Sequence, residues 1–355
     1  MKNFYSDLEQ NAFWKSGVSN VSPLNVSDIY EKKWIIRRTW KIGTAGSCFA
    51  QHIARHLKKN DYRVLDVEPA PSGLEPEQHE TYGYSLYSGR YGNIYTTRQL
   101  LQLIEETFSD APQEPLIWER DGRFFDAIRP NIEPNGFASR AEVIEARAYH
   151  IERLRELFLS VDLFVFTLGL TEAWIHASSG RVVPLAPGVV AGEEDAQDYS
   201  FVNFSYDDVL SDFRKAMRIL KKHRPKKIRY LLTVSPVPLT ATASGNHVLT
   251  ASTYSKSVLR AVAGFLSDNN SIIDYFPSYE IITNPAARGT FFAPNLRSVL
   301  NEGVEVVMKT FFEEHPPKET QETTELPVGE VPSEQDVRSK EDVQCDEQLL
   351  EAFGQ

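Results

Sequence analysis

Cysteine is nearly absent: there are two in 355 residues, Cys48 and Cys345. One lies in the body and one in an acidic stretch near residue 345, so a disulfide framework is excluded and the fold must rest on its core. Long apolar runs are also missing, and nothing approaches the ~20 residues that cross a bilayer. Met1–Gln10 lacks the basic and then apolar order of a secretory signal. The expectation is a soluble, cytoplasmic protein that does not engage a membrane. Basic charge is in deficit, with 38 Lys and Arg against 49 Asp and Glu, a net −11. Residues 316–355 hold three basic and eleven acidic residues and so carry −8 of that total. The body is almost balanced and offers no polyanion-binding face, which argues against nucleic acid as a partner. The eight histidines show no paired ligand spacing except His52 and His56, so neither a metal nor another cofactor is expected.

What is present is an alternation of short apolar runs and amphipathic stretches. Val161–Gly169 is nearly continuously apolar, as a central parallel strand should be. Ile228–Val234 and Ser271–Phe276 read as further strands, as do Trp34–Ile36 with Lys41–Ile42, and Tyr62–Val67. Helices are expected over about 98–108, 139–159, 205–222, 254–267 and 299–315, with Thr96 or Thr97 and Ser205 as caps. Asp121-Gly122 marks a hairpin within Trp118–Phe125. Residues 175–203 read as a loop excursion. Strand–helix alternation implies an α/β fold, a mostly parallel sheet covered on both faces. Three regions follow: an arm (1–33), an α/β domain (34–315) and an acidic, disordered tail (316–355) poor in apolar residues. Leu349-Leu350 and Phe353 in that tail suit a short docking motif.

The chain is organised around Lys41–His52. A strand runs into the small residues Gly43, Thr44, Ala45 and Gly46, then Ser47-Cys48. Phe49, Ile53 and Leu57 follow at helical spacing. A strand-to-helix turn at the carboxyl end of a sheet is where α/β proteins place ligands, and helix N-terminal amides there favour anions. Cys48 and Ser47 are both candidate nucleophiles. Helix position favours the Cys48 thiolate, and His52, one turn on, leans toward the thiol. His247 is a second candidate base, with Glu172 or Glu280 as orienting carboxylates. Asp126, Arg129 and Lys256 are candidate substrate contacts.

Gly46-Ser47-Cys48-Phe49-Ala50 also spells the motif for which the GSCFA family is named, and roughly residues 1–315 resemble that family. The family in turn resembles the SGNH (GDSL-type) hydrolases, which implies a three-layer αβα sandwich, flavodoxin-like, with loop insertions over the carboxyl end of the sheet. On that resemblance Cys48 takes the place of the nucleophilic serine. Gly92-Asn93 takes the place of the second-block glycine (Gly89 competes), and Gly169-Leu170-Thr171 that of the Gly-x-Asn block. Cys48, Gly92 and Thr171 would then hold an oxyanion. The chain departs from the pattern in having Thr171 for Asn, and in lacking Asp-x-x-His in Phe291–Val299. The resemblance implies an esterase or O-acyltransferase acting on a small molecule, carbohydrate or polysaccharide precursor. Its departures motivate a second reading, a non-catalytic SGNH-like fold that binds a glycan or protein. Oligomeric state is not legible.

Overall fold

Leu163–Leu168 forms the middle of the sheet because all six residues are buried and successive side chains leave on opposite faces. The computed structural model describes residues 3–111, 113–193, 195–317 and 346–354, without the side chains of Glu347 and Gln348. After three short helical turns in the arm (Gln10–Ala12, Lys15–Ser19 and Pro23–Asn25), the chain forms β1 (Ile42–Gly46), α1 (Phe49–Lys59), α2 (Pro76–His79), α3 (Thr97–Thr107), β2 (Ile117–Arg120), β3 (Arg123–Asp126) and α4 (Arg140–Ser160). There follow β4 (Leu163–Leu168), β5 (Glu172–His176), β6 (Val182–Val183), β7 (Tyr199–Asn203), α5 (Tyr206–His223) and β8 (Arg229–Val234). The last are α6 (Val248–Asp268), β9 (Ile273–Tyr275), α7 (Ser278–Thr283) and α8 (Asn301–Glu314), with a short 3-10 helix at Asp346–Phe353.

Four parallel strands in the order β1-β4-β8-β9 form the sheet. Phe164, Phe166 and Leu168 point to a face covered by α3, α4, α5 and α6. Leu163 and Val165 point to the other, covered by α1, α7 and α8 and by Tyr30 and Ile36 of the arm. The expected α/β fold is therefore a three-layer sandwich. Local chemistry sets its helix starts: Thr96 with Gln99 and Ser205 with Asp208 each form a capping box. The β2–β3 hairpin turns through Asp121 (φ 51°) and Gly122 (φ 69°), as its sequence requires.

Three elements differ from the sequence reading. Residues Tyr62–Val67 make a single parallel bridge, Val64 to Ile42. The edge of β1 is taken beyond that point by Ser88, whose hydroxyl accepts from the Thr44 N–H (2.9 Å). Trp34–Ile36 is not a strand; Ile36 is buried against the second face, and its N–H donates to His315. The stretch 175–203 is not only loop: β5, β6 and β7 form a small antiparallel sheet beside the carboxyl end of the main one.

Between the first face and the β2–β3 hairpin lies a layer of buried charge. Arg147 pairs with Glu106 and Asp126, Arg181 with Glu106 (2.6 Å), and Arg129 with Asp126 (2.7 Å). The Glu68 carboxylate accepts from His150 (2.7 Å) and from the Arg90 N–H (2.6 Å). Burial and neighbouring cations hold His150 down at about 4, and burial holds His52 at about 3 and His315 at about 4. Glu68, desolvated but facing His150 and Arg129, is lowered to about 2, and Asp126, held by Arg147 and Arg129, to about 2.

Both sets act in one direction. The unfolded chain binds protons that the folded histidines refuse from about pH 6.5 down to about 4. It also binds protons that the folded carboxylates refuse from about 4 down to 2. Stability present above about pH 6.5 is therefore lost continuously on acidification. Urea midpoints are expected to hold from pH 7.5 to about 6.5 and then to fall toward pH 4, and a flat profile over that lower range would contradict the burial of neutral histidines.

Candidate active site

The site is built where β1 meets β4. Gly46 sits at φ +135°, and a Cβ there would stand 2.4 Å from the Thr167 carbonyl oxygen, so only glycine fits. Directly after it, the Ser47 N–H donates to that carbonyl (3.2 Å). Cys48 follows as the N-cap of α1, 2% exposed.

Neighbouring loops are tied to this turn by backbone bonds. The Ile94 N–H donates to the Gly46 carbonyl (2.9 Å), which brings Gly92-Asn93 beside it. The Tyr95 carbonyl accepts from Gly169 (3.1 Å) and Leu170 (2.9 Å), and the Ser235 N–H donates to Leu168 (2.8 Å). From α6, Lys256 donates to the Gly169 carbonyl (2.7 Å), and the Ser255 hydroxyl accepts from the Thr171 N–H (3.0 Å). The ends of β1, β4 and β8 are thus locked with the 92–95 loop into one rim.

Beside the rim opens a pocket lined by Leu86, Tyr87, Gly92, Asn93, Arg129 and Asn131, among others. Gly92 turns at φ +68°. The Gln51 amide, in the first turn of α1, donates to the Tyr87 hydroxyl (3.1 Å), which in turn donates to the Asn93 side chain. Cys48 lies close enough to Tyr87 that its negative charge would help burial keep the phenol protonated. A chain of polar groups therefore leads from the thiol's helix to the pocket.

The GSCFA family model matches residues 41–311, a span that opens at this strand and closes in α8. The chain belongs to the GSCFA family. No curated protein and no solved structure matches it.

Around the GSCFA turn, Ser47, Cys48, Gly92, Asn93, Gly169, Thr171 and Lys256 are brought together, but their roles differ. The buried Ser47 hydroxyl has no hydrogen-bond partner among the described residues, and its Cβ lies 3.0 Å from where a Cβ on Gly169 would be. That places it in the β1–β4 seam. Thr171, expected to serve an oxyanion, is fully buried, and its hydroxyl donates to Asn203 (2.7 Å). His52 is one turn beyond Cys48, buried against Phe49 and neutral.

Other expected residues stand elsewhere. His247 is exposed and caps α6, its Nδ1 accepting from the Leu249 N–H (3.2 Å). Glu172 is part-buried in a separate groove, accepts from the Thr242 hydroxyl (2.8 Å), and has its pKa raised by burial. Glu280 pairs with Arg260 and accepts from Tyr275 (2.7 Å). Asp126 lies inside the buried charge layer. Arg129 reaches the pocket wall with its nitrogens spent on Asp126, the Arg90 carbonyl (3.0 Å) and the Ala146 carbonyl (2.9 Å).

Sequence reading missed Tyr87, Gln51 and Asn131. Gln51 carried a signal, three residues after Cys48 on the same helix; Asn131 carried none. Among the described residues no three His, Cys, Asp or Glu side chains gather as a metal site needs, and no helix is long and apolar enough to cross a membrane.

Gly46→Ala is expected to cost at least about 2 kcal/mol, from strained φ plus overlap with Thr167. It should also slow any chemistry at Cys48 by moving the turn. Urea unfolding checks the first effect, and wild-type stability in that variant would contradict the close approach.

Proposed function

We propose that the chain is an SGNH-like acyl-transfer enzyme with Cys48 as nucleophile. The observation that carries this reading is the convergence on one rim of the Ser47-Cys48 turn, the Gly92-Asn93 loop and the Gly169 turn. A helix N-terminus favours negative charge at Cys48. In the proposed reaction the Cys48 sulfur bonds to an ester or thioester carbonyl. The oxyanion that forms is held by backbone N–H groups of Cys48 and Gly92. The bond to the leaving alkoxide or thiolate then breaks, the leaving group takes up the proton released by the thiol, and an acyl-Cys48 thioester remains. Water or a sugar hydroxyl attacks that thioester, carries the acyl group away and returns its proton to the sulfur. Depending on the acceptor, the product is a free acid or an O-acylated carbohydrate. The SGNH resemblance favours a carbohydrate or polysaccharide precursor, and a cytoplasmic thioester donor suits that role.

A second reading is favoured by two observations: the Thr171 hydroxyl is committed to Asn203, and the histidine nearest in sequence to Cys48 has a pKa of about 3. It makes the pocket a glycan- or protein-binding site without turnover.

The pH dependence of Cys48 alkylation by iodoacetamide separates them, with Cys345→Ser removing the other thiol. The enzymatic reading expects labelling of the folded protein with an apparent pKa below the ~8.5 of a free thiol. A thiol that reacts only after unfolding would sink it.

A further inference from the structure

We infer that Asp346–Phe353 is an internal occupant of the candidate active site, with the Asp346 carboxylate filling the place of a substrate's acyl or carboxylate oxygens. The inference rests on the reading of the Cys48 rim as the reaction site. Three separate contacts carry it. Asp346 closes the pocket beside Tyr87 and Gly92, and its carboxylate is hydrogen-bonded by the side chains of Asn93 and Asn131. Leu350 enters the neighbouring groove of Glu172, Trp174, Leu239 and Thr242. The Glu351 carboxylate stands 3.9 Å from the Arg297 guanidinium, which belongs to the loop before α8. Pro184 lines both hollows, so they adjoin.

The segment thus spans three separate walls at the carboxyl edge of the sheet. Its ligand-like contacts are a carboxyl group between two amide side chains, with its pKa raised by burial and held back by those two hydrogen bonds, and a single apolar anchor. Leu349 and Phe353 remain exposed, at 44% and 71%, so the segment is not held by a core of its own. Arg129 lines the same pocket, with its three guanidinium nitrogens each bonded inside the fold, to Asp126 and to the Arg90 and Ala146 carbonyls. Such a pocket recognises a carboxylate or acyl oxygen and rejects a cation. Because residues 318–345 tether the segment to the body, docking is intramolecular and needs little affinity for high occupancy. An anionic substrate would have to displace it, which makes the segment a self-inhibitory plug.

The test uses the full chain with Cys345→Ser, alone and with Asp346→Arg plus Leu350→Glu. Neither substituted side chain belongs to the catalytic set. Amide hydrogen exchange is measured over 83–93, 129–132 and 239–243, together with the rate of Cys48 alkylation by iodoacetamide. The double variant is expected to exchange faster at all three segments. It is also expected to alkylate at least about tenfold faster, the effect of weakening docking by ~1.4 kcal/mol. A synthetic peptide of residues 346–353 should then slow the variant again. Unchanged exchange and alkylation would overturn the inference. Faster exchange with Cys48 unreactive in both chains would uphold docking and instead sink the nucleophile reading.

Discussion

The contact between Gly46 and the backbone of Thr167 is the constraint on which the rest depends. With no side chain at Gly46, β1 can end hard against β4, and the Ser47 N–H can take the Thr167 carbonyl. That fixes where α1 begins and therefore where Cys48 stands. The freed Gly46 carbonyl then receives the Ile94 N–H, so the same glycine also positions Gly92-Asn93. Any larger residue would push the strand ends apart and dissolve the rim.

The buried charge layer serves the same end from below. Arg90 spans the 82–93 and 129–133 loops through the Tyr82 and Ile132 carbonyls (2.6 Å each) and Glu133 (2.5 Å). Arg129 binds back to the Arg90 carbonyl. These loops form the pocket walls, and long irregular walls need such internal partners for their backbone groups. Buried ion pairs are weak evidence for stability, yet removing one partner leaves an uncompensated charge that typically costs about 3–5 kcal/mol. Position is what these pairs secure: the walls hold one shape around Asn93 and Asn131.

Much of the fold was legible because its signals are local. The apolar run of β4, the capping boxes at Thr96 and Ser205, and the Asp121-Gly122 turn each announce themselves within a few residues. Tyr62–Val67 failed as a strand for a non-local reason, since Ser88 claims the β1 edge. The small β5–β7 sheet was hidden because its strands are short and separated by turn residues. The motif and its resemblance pointed to Cys48, Gly92 and Gly169, and the fold brings the turns that carry them to one rim. Sequence does not reveal that His247 caps a helix or that the Thr171 hydroxyl already donates to Asn203. Asp126 and Arg129 pair with each other, and only the fold tells that Arg129 alone reaches the pocket. The tail, read as disordered, lies mostly outside the described residues, while Asp346–Phe353 forms a helix set against the rim.

Direct detection of the acyl intermediate tests the central claim. The full chain with Cys345→Ser would be mixed with p-nitrophenyl acetate, quenched in acid, digested and weighed by mass spectrometry. An acetyl group on the peptide containing Cys48, removed by neutral hydroxylamine and absent in Cys48→Ala, is the expected result. An acetyl group on Ser47, or none on the Gly46–Ala50 turn while the ester is still turned over, would contradict a thiol nucleophile at this site.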